Sequence, residues 1–511
     1  MLWVMGVKRV CILVINGAVS AITSFIMCGI GVWFSLYLTQ KIGTAVMGEY
    51  QLILSAYAFG VTFASSGVQF AAMRLISENI GRSPRVNVRR ILRKCFGYCA
   101  FFGLGGGILL YSLAPLIGSA VLKNNAVTLP LRVISLSLPF VAAGGVINGY
   151  FAAVRKVYKM AAVQVGEQLL KIILTVSTIS YFMARGQACL ALILAGVISE
   201  GLSVIISLLL CRRDCRQYRG REKPQGSLLR IGLPIAFSSY LRSGLVSVRH
   251  LLVPSQLQKY GMEQRQAVAA FGMIHGIVLP VVFFPTALLY SFSNLLVPEV
   301  AETRTRTGSE SRRMTYLIDR SVQLTLLFSI GVAGFFYFFA EELMGVVRGG
   351  AGIGIYLKML ALVVPVMYLD HTVDNMLKGL DQQVQSMKYN IIDAVFSLGC
   401  IFLFLPRFGT AGYVCLICLS ELLNFTLSFR RLTKVSSFHL LPLKGVVFPI
   451  VCIVLACKTG RYAGGVWGVT GMGFLIAAGC LSLALYFVFL RLTGCFTQND
   501  ADWLRRIFQR N

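Results

Sequence analysis

Apolar segments long enough to cross a bilayer recur along the whole chain, and they leave it few other folds to adopt. The hydrocarbon core asks for about 20 consecutive apolar residues per helix. By that measure the sequence holds fourteen spans, at 12–38, 45–73, 96–119, 127–154, 160–183, 188–210, 229–254, 267–297, 316–340, 355–380, 386–406, 409–429, 444–460 and 466–490. The seventh is the most polar, with Arg242 inside it, and the thirteenth is short. The segments between spans run to about 20 residues at most, too few for a soluble catalytic or binding domain. Charged residues are 13% of the 511, about half the ~25% of a soluble domain. A water-soluble fold of this size would lack a charged exterior. The expected class is therefore an all-α integral membrane protein with about 14 transmembrane helices.

The basic residues test the count. The net charge is +28, from 48 Lys and Arg against 20 Asp and Glu. In a soluble protein such an excess suggests nucleic acid. Here it falls in clusters between apolar runs, so a nucleic-acid partner is not expected. Cytoplasmic loops are enriched in Lys and Arg. With the N-terminus inside, the inner segments hold Arg82, Arg85, Arg89, Arg90, Arg93 and Lys94, then Arg212, Arg213, Arg216, Arg219, Arg221, Lys223 and Arg230. Arg304, Arg306, Arg312 and Arg313 follow, and then Arg430, Arg431 and Lys434. Basic residues lie inside over outside by roughly three to one, and both termini are expected in the cytoplasm. The first apolar run follows Lys8-Arg9 and exceeds the ~7–15 residues of a signal-peptide core. It is read as an uncleaved first span. The tail at 497–511 has the makings of either a short surface helix or a frayed basic end.

The 14 Cys are scattered, mostly inside apolar stretches, which excludes a disulfide scaffold. Cys415-Leu-Ile-Cys418 has metal-ligand spacing but no second pair, and is read as packing. No metal or cofactor is expected. No G-x-x-x-x-G-K-[ST] loop occurs, so no nucleotide drives the protein.

The first six spans and the next six carry matching marks. Pro139 and Pro365 fall early in spans four and ten, and the same offset pairs Gln164 with Asn390 and Glu167 with Asp393. Spans six and twelve carry Ser199-Glu200 and Ser420-Glu421, and both end at Arg-Arg. Six spans is an even number, so both halves enter the membrane in the same orientation. A parallel repeat with a cleft between two six-helix lobes is expected. The division is 1–220 for the first lobe and its cytoplasmic linker, 221–435 for the second, and 436–511 for spans thirteen and fourteen and the tail.

Several motifs then point to a family. Gly43-Thr-Ala-Val-Met-Gly48-Glu49-Tyr50-Gln51 lies where span one turns into span two. Ser65-Ser66-Gly67 and Arg74-Leu-Ile-Ser-Glu78 close span two, and Gly149-Tyr150-Phe151 and Gln164-x-x-Glu167-Gln168 mark spans four and five. Gly232-Leu-Pro234-Ile opens span seven, Val253-Pro254 closes it, and Pro298-Glu299-Val-Ala-Glu302 ends span eight. With these motifs the chain resembles the stage V sporulation protein B-like family of polysaccharide and lipid-linked oligosaccharide flippases. That family shares a superfamily with the lipid II flippase MurJ and the MATE exporters. The resemblance implies a two-lobed bundle that exports a lipid-linked sugar by alternating access, with a polyprenyl diphosphate lipid as partner. Two differences stand out. Span one has no Lys or Arg between Arg9 and Lys41, and Arg249-His250 stands near a position that is often acidic in the family.

Ionisable residues inside the spans are the candidate site, because a charge in hydrocarbon needs a cavity or a partner. Arg242 sits mid-span in helix seven, where a guanidinium fork suits a pyrophosphate, or a salt bridge to another helix. Glu167 and Lys171 are four apart on span five, in the order that favours an intrahelical pair. They serve either as that pair or as a phosphate contact with its tuning acid. Asp370, His371 and Asp374 lie on span ten, suited to H⁺ or Na⁺, to sugar hydroxyls, or to helix–helix contact. Asp393 mirrors Glu167. Glu200 and Glu421 stand near paired arginines and are expected to pair with them. His275 is expected to be a satisfied bundle histidine. The leading function is a flippase that works as a monomer, its basic inner loops attracting anionic membrane lipids. A MATE-like drug or metabolite exporter with cation coupling is the alternative. A membrane-embedded glycosyltransferase fits least, since the outer loops offer only Glu49, Glu263, Glu341 and Glu342.

Overall fold

The computed structural model describes residues 2–65, 67–82, 87–218, 228–289, 296, 300, 303, 312–345, 352–436, 443–466, 471–498 and 500. Arg85, Arg219, Arg221, Lys223, Arg304, Arg306, Ser66, Pro298-Glu299, Glu302 and the tail beyond residue 500 lie outside them.

The regular elements in the described residues are helices. In chain order these are α1 (Leu2–Ser65), α2 (Val68–Arg82), α3 (Val88–Pro115), α4 (Thr128–Ser135), α5 (Leu138–Ala153), α6 (Val157–Met183), α7 (Ala188–Asp214), α8 (Leu228–Lys259), α9 (Gln264–Met273) and α10 (Leu279–Phe283). Then come α11 (Arg312–Phe338), α12 (Ala340–Gly345), α13 (Gly354–Ala361), α14 (Val364–Gly379), α15 (Gln383–Val435), α16 (Phe448–Val466) and α17 (Gly471–Leu492). Among the described residues, ten helices are long and apolar enough to span a membrane, or eleven with the bent pair α13–α14 taken as one. The chain is a multi-pass membrane protein of all-α class.

The expected count of fourteen is not reached by this measure, and the places where it differs have physical causes. Spans one and two form one helix, α1, broken at the single residue Gly43 with φ 82° and ψ 163°. Spans eleven and twelve form α15, broken at Gly409 with φ 58° and ψ −137°. Only glycine takes such conformations without strain, so one residue does the work of a loop. The seventh span is α8, a full-length helix that carries Arg242, Arg249 and Lys259 and is not among the ten.

Spans four and ten are each broken just ahead of their proline. Pro139 heads α5 after the end of α4, and Pro365 heads α14 after the end of α13, where the axis bends by 51°. Proline is tolerated in the first helical turn, and it clashes with the turn before it.

Contacts divide the chain into two compact units, Met1–Phe34 with Lys41–Gly272, and Ser35–Gln40 with Met273–Asn511. In the first, α5 packs on α2, α3 and α7, and α6 lies along α7. Hydroxyls seat α8 on α1. Ser247 Oγ donates to the Ser55 carbonyl at 2.7 Å, Thr62 Oγ1 to Ser243 Oγ at 3.0 Å, and Ser55 Oγ meets His250 Nδ1 at 3.1 Å. Small polar residues allow such close helix packing in lipid. Closer still is the crossing of α1 and α9. A Cβ on Gly48 would fall on the backbone oxygen of Val268, and one on Gly272 on the backbone of Thr44 and Gly48.

At the basic end of this unit, Asp214 is buried with 3% of its side chain exposed. Lys156 and Lys159 each reach its Oδ1 at 2.7 Å, and Tyr150 donates to Oδ2 at 2.9 Å. This assembly ties α5, α6 and α7 together. Asp214→Ala strands a buried tyrosine hydroxyl and is expected to cost ~2 kcal/mol. Thermal unfolding in detergent checks this, and an unchanged midpoint would show the cluster to be dispensable.

In the second unit α11 packs on α14 and α16, and α16 on α17. The core is apolar, built on Ile318, Val322, Val373, Met376 and Ala456. The acids Glu341 and Glu342 are held by Lys358 at 2.9 Å and Arg461 at 2.7 Å.

Candidate functional site

Two adjacent helices of the first unit each carry one polar stripe. On α6, Gln164, Glu167 and Gln168 stand at i, i+3 and i+4, and on α7 Glu200, Ser203 and Ser207 at i, i+3 and i+7, so each set shares a face. Because α6 lies along α7, the stripes converge on a cavity of about 620 Å³. Asn148 of α5 and Thr23 and Ser24 of α1 complete its polar lining.

Ser203 Oγ donates to Glu167 Oε2 at 2.6 Å. Glu167 and Glu200, on adjacent helices, both line this cavity. Lys171, one turn along α6, donates to Tyr50 Oη at 3.4 Å. The next residue back, Glu49, accepts from Asn124 Nδ2 at 2.8 Å. The structure thus joins the Gly43–Gln51 motif to the Gln164–Gln168 motif through Lys171 and Tyr50.

Two expectations change here. Glu200 faces Glu167 in the cavity and not the arginine pair that ends α7, which lies twelve residues on, or about 18 Å along the helix. Lys171 turns to Tyr50 and forms no ion pair with Glu167 among the described residues. Arg242 does not line this cavity. It is exposed on α8, with no hydrogen bond or ion pair among the described residues.

The second unit gives Asp370, Asp374 and Asp393 each its own hydrogen-bond partner. Asp370 Oδ2 accepts from Asn424 Nδ2 at 2.9 Å, while Asp370 Oδ1 is buried without a hydrogen-bond partner among the described residues. Asp374 pairs with Lys378 at 3.0 Å and accepts from Ser386. Asp393 accepts from Ser420 Oγ at 2.5 Å. His371 meets Asn375 Nδ2 through Nε2 at 3.3 Å, and His275 meets Tyr413 Oη at 2.7 Å. The Asp393–Ser420 bond is of the same kind as Glu167–Ser203 in the first unit, an acid on one helix held by a serine on the next.

Sequence reasoning missed Ser203, Asn424, Ser386, Tyr50 and Asn148. Helical register would have shown two of these, since Ser203 is one turn from Glu200 and Asn424 one turn from Ser420.

The fold is one used by membrane transporters. It is shared with the lipid II flippase MurJ in an inward closed conformation, at a TM-score of 0.70 with 13% identity, covering 92% of this chain and 98% of that one. It is shared also with an inward-facing multidrug resistance MATE family transporter of the MOP superfamily, at 0.59 with 15% identity, covering 81% and 95%. In sequence, residues 13–248 match the polysaccharide biosynthesis protein family. Stage V sporulation protein B of Bacillus subtilis (strain 168) is 23% identical over 446 residues, 84% of this chain and 83% of that protein. The resemblance read from the motifs is thereby borne out.

Proposed function

We propose that the chain is a flippase that moves a lipid-linked oligosaccharide or polysaccharide precursor from the inner to the outer leaflet of the cell membrane by alternating access. The matched family is one of polysaccharide biosynthesis, and the fold is one that a lipid II flippase uses. The observation that carries the reading is the cavity between α6 and α7. Its carboxylates, carboxamides and hydroxyls are the groups that bond sugar hydroxyls, and its volume suits a small saccharide head group.

In this reading the saccharide is held by Glu167 and its neighbours, while Lys171 and Arg242 meet the diphosphate. The Glu167–Glu200 pair carries a coupling proton, and Asp370, Asp374 and Asp393 serve the same ion economy in the second unit, with H⁺ or Na⁺. The lobes are 1–220 and 221–435, with 436–511 outside them. The positive-inside bias puts both termini in the cytoplasm, and the working unit is a monomer.

The test is reconstitution in liposomes with a fluorescent polyprenyl-diphosphate saccharide. Faster exposure of the inner-leaflet head group to an impermeant reagent is expected, and a rate equal to protein-free liposomes would end the proposal. The MATE-like alternative predicts drug resistance in cells with no effect in this assay. Among the described residues Arg242 has no counter-ion, and a charge so placed in a span costs roughly 2.5–3.5 kcal/mol, so a transported anion is its natural partner. Arg242→Ala is expected to slow transport at least tenfold, one lost charge-assisted contact, with expression unchanged. Full transport by that variant would remove Arg242 from the mechanism.

A further inference from the structure

A second cavity, of about 800 Å³, opens at the basic end of the first unit, between the start of α3 and the end of α7. Five arginines line it, Arg89 and Arg93 from α3 and Arg212, Arg213 and Arg216 from α7 and the turn after it. All five are exposed, and none has an acid partner among the described residues. The nearby acid, Asp214, is already taken by Lys156, Lys159 and Tyr150. Five guanidinium groups around one space repel one another unless an anion lies among them.

The rest of the wall is apolar and graded. Along α3 the residues run Arg89, Leu92, Arg93, Phe96, and along α7, read backwards, Arg216, Arg212, Leu208, Val204. Arg89 and Phe96 are separated by about 10 Å along the helix axis, so the charges form a rim and the apolar side chains a floor. A ligand that fits has an anionic head on a hydrocarbon chain. Among the described residues no carboxamide or carboxylate lines this cavity, in contrast to the cavity at Glu167.

We propose that this pocket binds one anionic phospholipid of the membrane, its phosphate among the five arginines and its acyl chain along Leu92, Phe96 and Leu208. The inference rests on the chain being a membrane protein and is independent of the flippase reading. The lipid supplies the missing negative charge and splints α3 to α7.

The test uses the full chain, stripped of lipid in a neutral detergent, with bound lipid counted by native mass spectrometry. One phosphatidylglycerol is expected to remain bound where phosphatidylcholine does not. Arg93→Gln with Arg213→Gln is expected to weaken phosphatidylglycerol about 25-fold, about fivefold per arginine. Neutralising the exposed Arg430 and Lys434 elsewhere, by Arg430→Gln with Lys434→Gln, is expected to leave it unchanged. Arg93→Lys with Arg213→Lys keeps the charge and should keep most of the binding, which separates loss of the ligand from loss of the fold. Equal binding of the two lipids, or an equal loss in the Arg430 and Lys434 control, overturns the proposal. So does displacement of phosphatidylglycerol by farnesyl diphosphate at lower concentration. That last result would assign the pocket to the transported lipid and leave the flippase reading in place.

Discussion

Gly48→Val is expected to leave little folded protein. The Cβ of any residue at 48 meets the backbone oxygen of Val268, and backbone has no rotamer by which to move aside. Overpacking into side chains costs about 1–3 kcal/mol. Against backbone the helices must separate, and the cost is expected to exceed ~3 kcal/mol for valine and to be already evident for alanine. Gly272→Ala strikes the same crossing from the other side, at Thr44 and Gly48, and should behave alike. Gly97 on α3 has open space where a methyl group would stand, with nothing within 4 Å, so Gly97→Ala is the control and should be neutral. Monodispersity and the thermal midpoint in detergent decide the matter. A Gly48→Ala protein with a wild-type midpoint would show that the crossing opens freely.

Removing Glu167 is expected to stop transport while the protein stays folded. Glu167 accepts from Ser203 at 2.6 Å and shares the cavity with Glu200. Glu167→Ala removes the carboxylate from the cavity and is expected to lower the liposome transport rate at least tenfold, a loss of ~1.4 kcal/mol or more. Glu167→Gln preserves the shape and a hydrogen bond to Ser203 but cannot exchange a proton. It should bind the saccharide and lose the response of transport to an imposed pH gradient. Unimpaired, gradient-driven transport by Glu167→Gln would take the proton away from this pair, and full activity of Glu167→Ala would take the substrate away from this cavity.

Much of the fold was legible because hydrocarbon makes strict demands. The apolar runs mark helices, and Pro139 and Pro365 mark the breaks in spans four and ten. The breaks between spans one and two and between spans eleven and twelve fall where the sequence places them, beside Gln40-Lys41 and Arg407, and the structure makes each at a single glycine, Gly43 and Gly409. The site was half legible. Glu167 and Lys171 stand out as charges in a span, but sequence gives their depth and not the direction they face. That is why Arg242, equally deep, does not join the cavity, and why Glu200 was assigned to arginines that share its helix but lie several turns away. The Tyr50–Lys171 bond links residues 121 apart and belongs to tertiary structure alone.

The break at Gly409 also makes α15 a mechanism in the engineer's sense. Its two arms meet at a single pin, and a pin of one residue has two soft torsions. Across the arms, Asp393 and Ser420 form a clasp. The two arms are therefore joined by a single residue, and the Asp393–Ser420 bond is a contact that fixes the angle between them.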